Sequence, residues 1–301
     1  MNNRKENFAR ARNRYTNYKV TESAELMDFL SQKMPEASRT TLKNLLSKRL
    51  VYVNRIITTQ YNHPLEPGMM VQISQDKDRK PFRSKYIDIV HEDAYFIIID
   101  KFSNTPSSPI RGREAKSSAL YILENYIRQY HNRRKIYPIY KMEEDFSGLM
   151  IYAKDEHTKD SFDESWSQLV KEYVFAAICD GKPKQNSGTI TSWVIDGQVY
   201  FSHTPMSSEE IDKATTKYRF IKELPNNQSL VEFSPADPSR NQIKLHAKEL
   251  GCPMVGDKRY NTNSKAKKLA AHAYKLAFNH PVTRELIKLE LPLPNHIQAL
   301  L

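Results

Sequence analysis

The chain has 301 residues, 39% of them hydrophobic, and its 46 Lys and Arg against 35 Asp and Glu give a formal net charge of +11. A basic excess of this size, in a chain apolar enough to form a core, points to a polyanionic partner, nucleic acid first. The longest apolar runs, Phe96 to Ile99 and Val174 to Cys179, fall far short of the roughly 20 residues of a membrane helix; the polar start MNNRKENFARARNRY lacks the apolar segment of a secretory signal; and two cysteines make neither a disulfide framework nor a zinc set. A cytoplasmic protein with no membrane contact is expected.

In chain order, residues 1–20 carry Arg4, Lys5, Arg10, Arg12, Arg14 and Lys19 against Glu6 and read as a solvated, disordered tail. Residues 21–74 read as a small compact unit. Thr21 and Ser23 are cap candidates before ELMDFLSQKM, where Leu26, Phe29 and Leu30 recur at helical spacing. Ser38 caps a second predicted helix with Leu42, Leu45 and Leu46 on one face and Arg39, Lys43, Lys48 and Arg49 on the other. Short strands follow, turned at Asn54-Arg55 and at Pro67-Gly68. Residues 75–85 read as a linker. From 86 to 301, strand-like runs such as YIDIV, YFIIID, LMIYAK, EYVFAAIC and SLVEFS alternate with helical stretches, among them SSALYILENYIRQYH, HTKDSFDESWSQLV, RNQIKLHAKEL and the region around Ala266–Ala273. A mixed α+β domain with more strand than helix is predicted.

Two short helices, the second basic, and a small sheet closing on Pro67-Gly68-Met69 resemble the alpha-L RNA-binding module of ribosomal small-subunit protein four. That resemblance implies RNA contact by Arg39, Lys43, Lys48 and Arg49; a solvated helix face is the bland alternative.

The larger region resembles the RluA-type pseudouridine synthases from end to end. IDIVHEDAYFIIIDK matches the family's opening strand pair, closing on Lys101. The family signature His-Arg-Leu-Asp-x-x-Thr-Ser-Gly aligns with residues 140–148, Tyr140-Lys141-Met142-Glu143-Glu144-Asp145-Phe146-Ser147-Gly148. Lys171 and Tyr173 fall on the Lys-x-Tyr strand; Gln242, Ile243, His246, Gly256, Asp257 and Tyr260 fall on the later block, and the C-terminal stretch matches throughout. The implied fold is α+β: a mixed, mainly antiparallel pseudouridine-synthase sheet domain behind a small alpha-L RNA-binding domain. The implied activity is isomerisation of uridine to pseudouridine in structured RNA, rRNA before tRNA, by a monomer needing no cofactor and no metal. A carboxylate acts as nucleophile on a nucleotide flipped out of its stack, a tyrosine stacks nearby and handles a proton, and a cation pairs with the carboxylate. By position these are Glu143, Tyr173 and Lys244, with Lys141 filling the gap left by the flipped base.

Glu143 stands where the family has Asp. The extra methylene moves the carboxylate by about 1.5 Å, in a reaction where about 1 Å of misplacement can cost on the order of a hundredfold. Lys at 244 keeps the family's charge but loses the planar fork of Arg. Asp145 offers a substitute carboxylate, read as structural because the family often has an acid there. The departures cluster in the signature loop, so a second reading stays open: an inactive RNA-binding pseudoenzyme in RNA folding or on ribosomal assembly particles. An unrelated basic scaffold is disfavoured by the ordered blocks. The histidines show no metal spacing, and the basic run at Lys258, Arg259, Lys265, Lys267 and Lys268 suits either solvent or an RNA backbone.

Overall fold

A computed structural model describes residues 15–76, 79–129, 135–195, 198–200 and 212–301. Most of the expected basic tail, residues 1–14, lies outside the described residues. Its end does not behave as a tail: Tyr15–Lys19 is a strand, β1. Tyr18 packs on an apolar cluster and Val20 just beyond is fully buried, which holds the segment down.

The N-terminal unit continues with β2 (Ala24–Glu25), α1 (Leu26–Lys33), α2 (Arg39–Ser47), β3 (Val51–Val53), β4 (Ile56–Ile57), β5 (Pro64–Leu65) and β6 (Met70–Ser74). Strand order is β1-β6-β3-β4, and β2 pairs separately with β5. Neither Thr21 nor Ser23 caps α1. The pairing of Ala24 and Glu25 with β5 keeps the backbone extended up to Glu25, which becomes the N-cap without a side-chain bond. Ser38 does cap α2, its Oγ accepting from the Thr41 N–H at 3.2 Å. Leu26, Phe29, Leu30, Leu42, Val51 and Val71 form this unit's own core. The Asn54-Arg55 turn has both residues at positive φ, 48° and 70°, as a two-residue hairpin requires. Asn54 Oδ1 accepts from the Met70 N–H at 2.9 Å and pins it.

The large region holds β7 (Ile87–Glu92), β8 (Phe96–Lys101), α3 (Ala119–Arg128), β9 (Tyr137–Pro138), β10 (Ser147–Ala153), α4 (Glu156–Leu169), β11 (Val170–Asp180), β12 (Ser187–Ile195), β13 (Gln198–Tyr200), β14 (Asp212–Leu224), β15 (Gln228–Pro235), α5 (Gln242–Glu249), β16 (Ala271–Asn279) and β17 (Leu286–Glu290). They build an 11-stranded sheet in the order β13-β12-β14-β15-β11-β16-β10-β8-β7, with β9 added to β10 and β17 to β16. Neighbours run antiparallel except β10 beside β16, which is parallel. The chain is thus α+β with a mixed, mainly antiparallel sheet. Every residue of β10 is buried, and Leu123 and Ile127 of α3 and Phe162 of α4 join Phe96, Tyr152 and Phe278 in one apolar cluster. One predicted helix is overturned: around Ala266–Ala273 the chain enters strand β16. Its alanines 271 and 273 are buried where β16 lies between β11 and β10, and pairing and burial on both sides outweigh local propensity.

Candidate active site

The signature residues 140–146 form the loop leading into β10. Its exit is fixed by Gly148 at φ +113°, a value L side chains rarely adopt; a Cβ there would lie 2.3 Å from the Ala273 carbonyl oxygen of β16. Beneath the loop lies Lys101, fully buried, whose Nζ donates to the carbonyls of Thr105 at 2.9 Å, Glu144 at 3.1 Å and Phe146 at 2.5 Å. Burial pulls this lysine down to about 7, against the pull of Asp145, Glu144, Asp100 and Glu143. Three acceptors around Nζ match the three protons of an ammonium, and on that geometry Lys101 is charged. Ser103 Oγ donates to the Asp145 carbonyl at 2.9 Å, and Ser107 Oγ donates to that of Met142. The loop backbone is therefore held at four of the five carbonyls from Met142 to Phe146.

Above this base, Glu143 and Asp145 converge on one cation from α5. Lys244 Nζ donates to Glu143 Oε2 at 2.7 Å and to both Asp145 oxygens, at 2.9 and 2.7 Å. Burial lowers the Lys244 pKa, but Glu143 and then Asp145 outweigh it, so the net shift is upward. The ammonium also sits 5.3 Å from the centre of the Phe146 ring, where the family has Thr. Glu143 is tied to the start of α5 as well. Oε1 accepts from the Asn241 N–H at 2.9 Å. With its amide oriented to suit its neighbours, Asn241 Nδ2 donates to Oε2 at 3.1 Å, and Asn241 Oδ1 accepts from Arg259 Nη1 at 2.7 Å. Asn241 has φ 62°, which turns its N–H toward the loop at the positive end of the helix. α5 itself is anchored to β14 by Gln242 Nε2 and His246 Nδ1, both on the Thr216 hydroxyl at 2.9 and 2.8 Å. Burial pushes His246 down to about 4, which suits a neutral packing residue.

Tyr173 reaches the pair through rings: 4.8 Å to Phe175, then 5.6 Å from Phe175 to Phe146, centre to centre. It also meets Tyr140 edge-on at 6.1 Å. Its hydroxyl donates to the Leu149 carbonyl at 2.9 Å, and burial raises its pKa well above the ordinary value. The hydroxyl for which the resemblance implies a proton-handling role is bonded to backbone, and its ring packs against Tyr140, Trp166 and Phe175.

Lys141, Arg39 and Lys43 are exposed, and Lys48 is half-buried. Arg49 does not belong with them. It is buried, and its Nε lies 3.3 Å from Glu92 Oε2, because φ 57° turns it off the helix face toward the large sheet. Glu144 leaves the cluster too, pairing with exposed Arg113 at 2.7 Å. Sequence reasoning missed Asn241 and read Arg259 only as part of a basic run; the donor that matters on Asn241 is a backbone N–H, which residue type does not announce. Among the described residues, no group of three or more His, Cys, Asp or Glu side chains is placed to hold a metal ion, and no helix is long and apolar enough to cross a membrane.

A family model described as RNA pseudouridylate synthase matches residues 95–249, more than half of the chain, including both the loop and α5. An uncharacterized RNA pseudouridine synthase of Synechocystis sp., slr1629, is 25% identical over 294 residues, covering 93% of this chain and 89% of the relative. The dual-specificity RNA pseudouridine synthase RluA of Pasteurella multocida is 25% identical over 215 residues, covering 70% of this chain and 95% of the relative. Among solved structures, human RNA Pseudouridylate Synthase Domain Containing 4 aligns at a TM-score of 0.54 with 18% identity, over 70% of this chain and 90% of that one, a likeness of fold. The chain belongs to the RNA pseudouridylate synthase family, in its RluA branch.

Proposed function

We propose that the protein isomerises uridine to pseudouridine in structured RNA, rRNA before tRNA, in the cytoplasm and as a monomer. The observation that carries this reading is the ion pair between Glu143 and Lys244, 101 residues apart in sequence and 2.7 Å apart in space. It sets a carboxylate against a cation at the positions where the family's nucleophile and its partner fall. Lys244 pairs with the carboxylate, the Tyr173 ring packs against Tyr140 of the loop, and Lys141 lies exposed. Residues 21–74 are assigned as an RNA-binding module joined through 75–85 to the catalytic region 86–301, with Arg39, Lys43 and Lys48 toward phosphates.

A second reading has its own support: three donors crowd the Glu143 carboxylate, which suits a structural anchor in an inactive RNA-binding factor acting in RNA folding or ribosome assembly. Mass mapping of pseudouridine in RNA from a strain lacking the protein separates the two. Loss of a site, restored by wild type and not by Lys244→Ala, is expected. An unchanged map together with impaired ribosome maturation would establish the RNA-binding factor instead.

A further inference from the structure

The two carboxylates on Lys244 are not equivalent. Glu143 is 16% exposed at its side chain and takes three donors: the Asn241 N–H, the Asn241 amide and Lys244. Its longer side chain carries the carboxylate onto the start of α5, where its lone pairs are engaged. Asp145 is 32% exposed and is held through its carboxylate by Lys244, itself only 6% exposed. Both carboxylates accept from Lys244, but Glu143 takes two further donors from Asn241 and is half as exposed, and each added donor makes an oxygen a poorer nucleophile. The backbone beneath Asp145 is also fixed on three successive carbonyls, those of Glu144, Asp145 and Phe146. Asp145 thus combines access, a short side chain and a rigid base, as attack at a fixed distance demands.

We infer that Asp145, and not Glu143, is the carboxylate that bonds to the nucleotide; this rests on the reading of the site as one that isomerises uridine. A lone pair of an Asp145 oxygen forms a bond to ribose C1′ while the C1′–N1 bond breaks, its electron pair leaving on uracil N1. After the base turns, C5 attacks C1′ and the C1′–oxygen bond breaks, returning the carboxylate. The C5 proton leaves to water and N1 takes a proton from water, so the isomerisation balances with no oxidant or reductant. Glu143 keeps Lys244 in place throughout.

The test compares single-turnover pseudouridine formation by the full chain, Asp145→Asn and Glu143→Gln on RNA isolated from the deletion strain, with RNA affinity and thermal melting as controls for folding. Asp145→Asn is expected to lose more than about 10³-fold in rate while binding RNA within a few-fold of wild type, and Glu143→Gln to lose on the order of 10- to 100-fold. Asp145→Asn within tenfold of wild type overturns the assignment and leaves the function standing. Loss of all product in both variants also overturns it, since the pair then acts as one unit. No product from the wild type on any RNA overturns the function itself, and the assignment with it.

Discussion

Asp100 and Asp88 face each other across β8 and β7, and one Asp100 oxygen, Oδ1, is buried without a hydrogen-bond partner. Burial first, and the Asp88 charge second, raise the Asp100 pKa to about 6. A carboxyl whose folded pKa exceeds its unfolded value of about 3.9 keeps its proton more tightly in the native state. Its contribution is therefore favourable below about pH 4, is lost as pH rises through about 6, and leaves a penalty above that. Asp100→Asn is expected to raise stability by about 1–2 kcal/mol at pH 8 and to change it little at pH 4, as urea unfolding at the two pH values would measure. The pairing that adds to this shift was invisible in YIDIV and YFIIID as strings, because it depends on register. Lys101, by contrast, was marked in the sequence by its place at the end of a strand; that it holds up the signature loop emerged only from the three carbonyls around it.

At the scale of elements, the join between β10 and β16 carries the site. It is the parallel seam of the sheet, and Gly148 lets the two backbones meet there. Gly148→Ala adds a methyl into the Ala273 backbone and holds an L residue at φ +113°, so it is expected to destabilise by more than about 3 kcal/mol or to yield insoluble protein. Expression yield and urea unfolding would check this. Most elements were legible from periodicity: α1 buries Leu26, Phe29 and Leu30, α2 buries Leu42 and Leu46 with Leu45 half-buried beside them, and Ser38 caps as its type suggests. The exceptions share a cause. Ala266–Ala273 reads as helix by composition and becomes strand through its neighbours. Thr21 and Ser23 are good cap residues standing before a segment that β5 holds extended.

Across the whole molecule, Glu92 joins the two units. Its fully buried carboxylate takes Arg49 from the end of the N-terminal helix pair, Arg79 from the connecting segment and Lys154 from beyond β10, at 3.3, 3.8 and 2.8 Å; Tyr126 of α3 donates to it at 2.7 Å. Burial would raise its pKa, yet Lys154, Arg49 and Arg79 together hold it far below the usual carboxylate range. This depressed pKa contributes stability above the unfolded value of about 4.3, lost only as pH falls toward the folded one. Glu92→Gln leaves buried cations uncompensated, so a loss of about 3–5 kcal/mol is expected. With it should come faster proteolysis within residues 75–85 and a larger radius in small-angle scattering, the signs of a released N-terminal unit. Unchanged scattering and cleavage would show that apolar contacts alone hold the units together.

Taken by itself, the sequence determined the basic balance, the order of the elements, the family and the loop and helix that supply the acid and the cation. Those features reside in residue type and short spacing. Tertiary structure alone decided that Arg49 turns inward to Glu92, that β16 is a strand, that Glu143 is bound to a backbone N–H of α5 and that Lys244 answers to Asp145 as well. Each of these joins groups far apart along the chain. Which charges meet, and which lone pairs stay open, depends on where the sheet brings its edges and loops together.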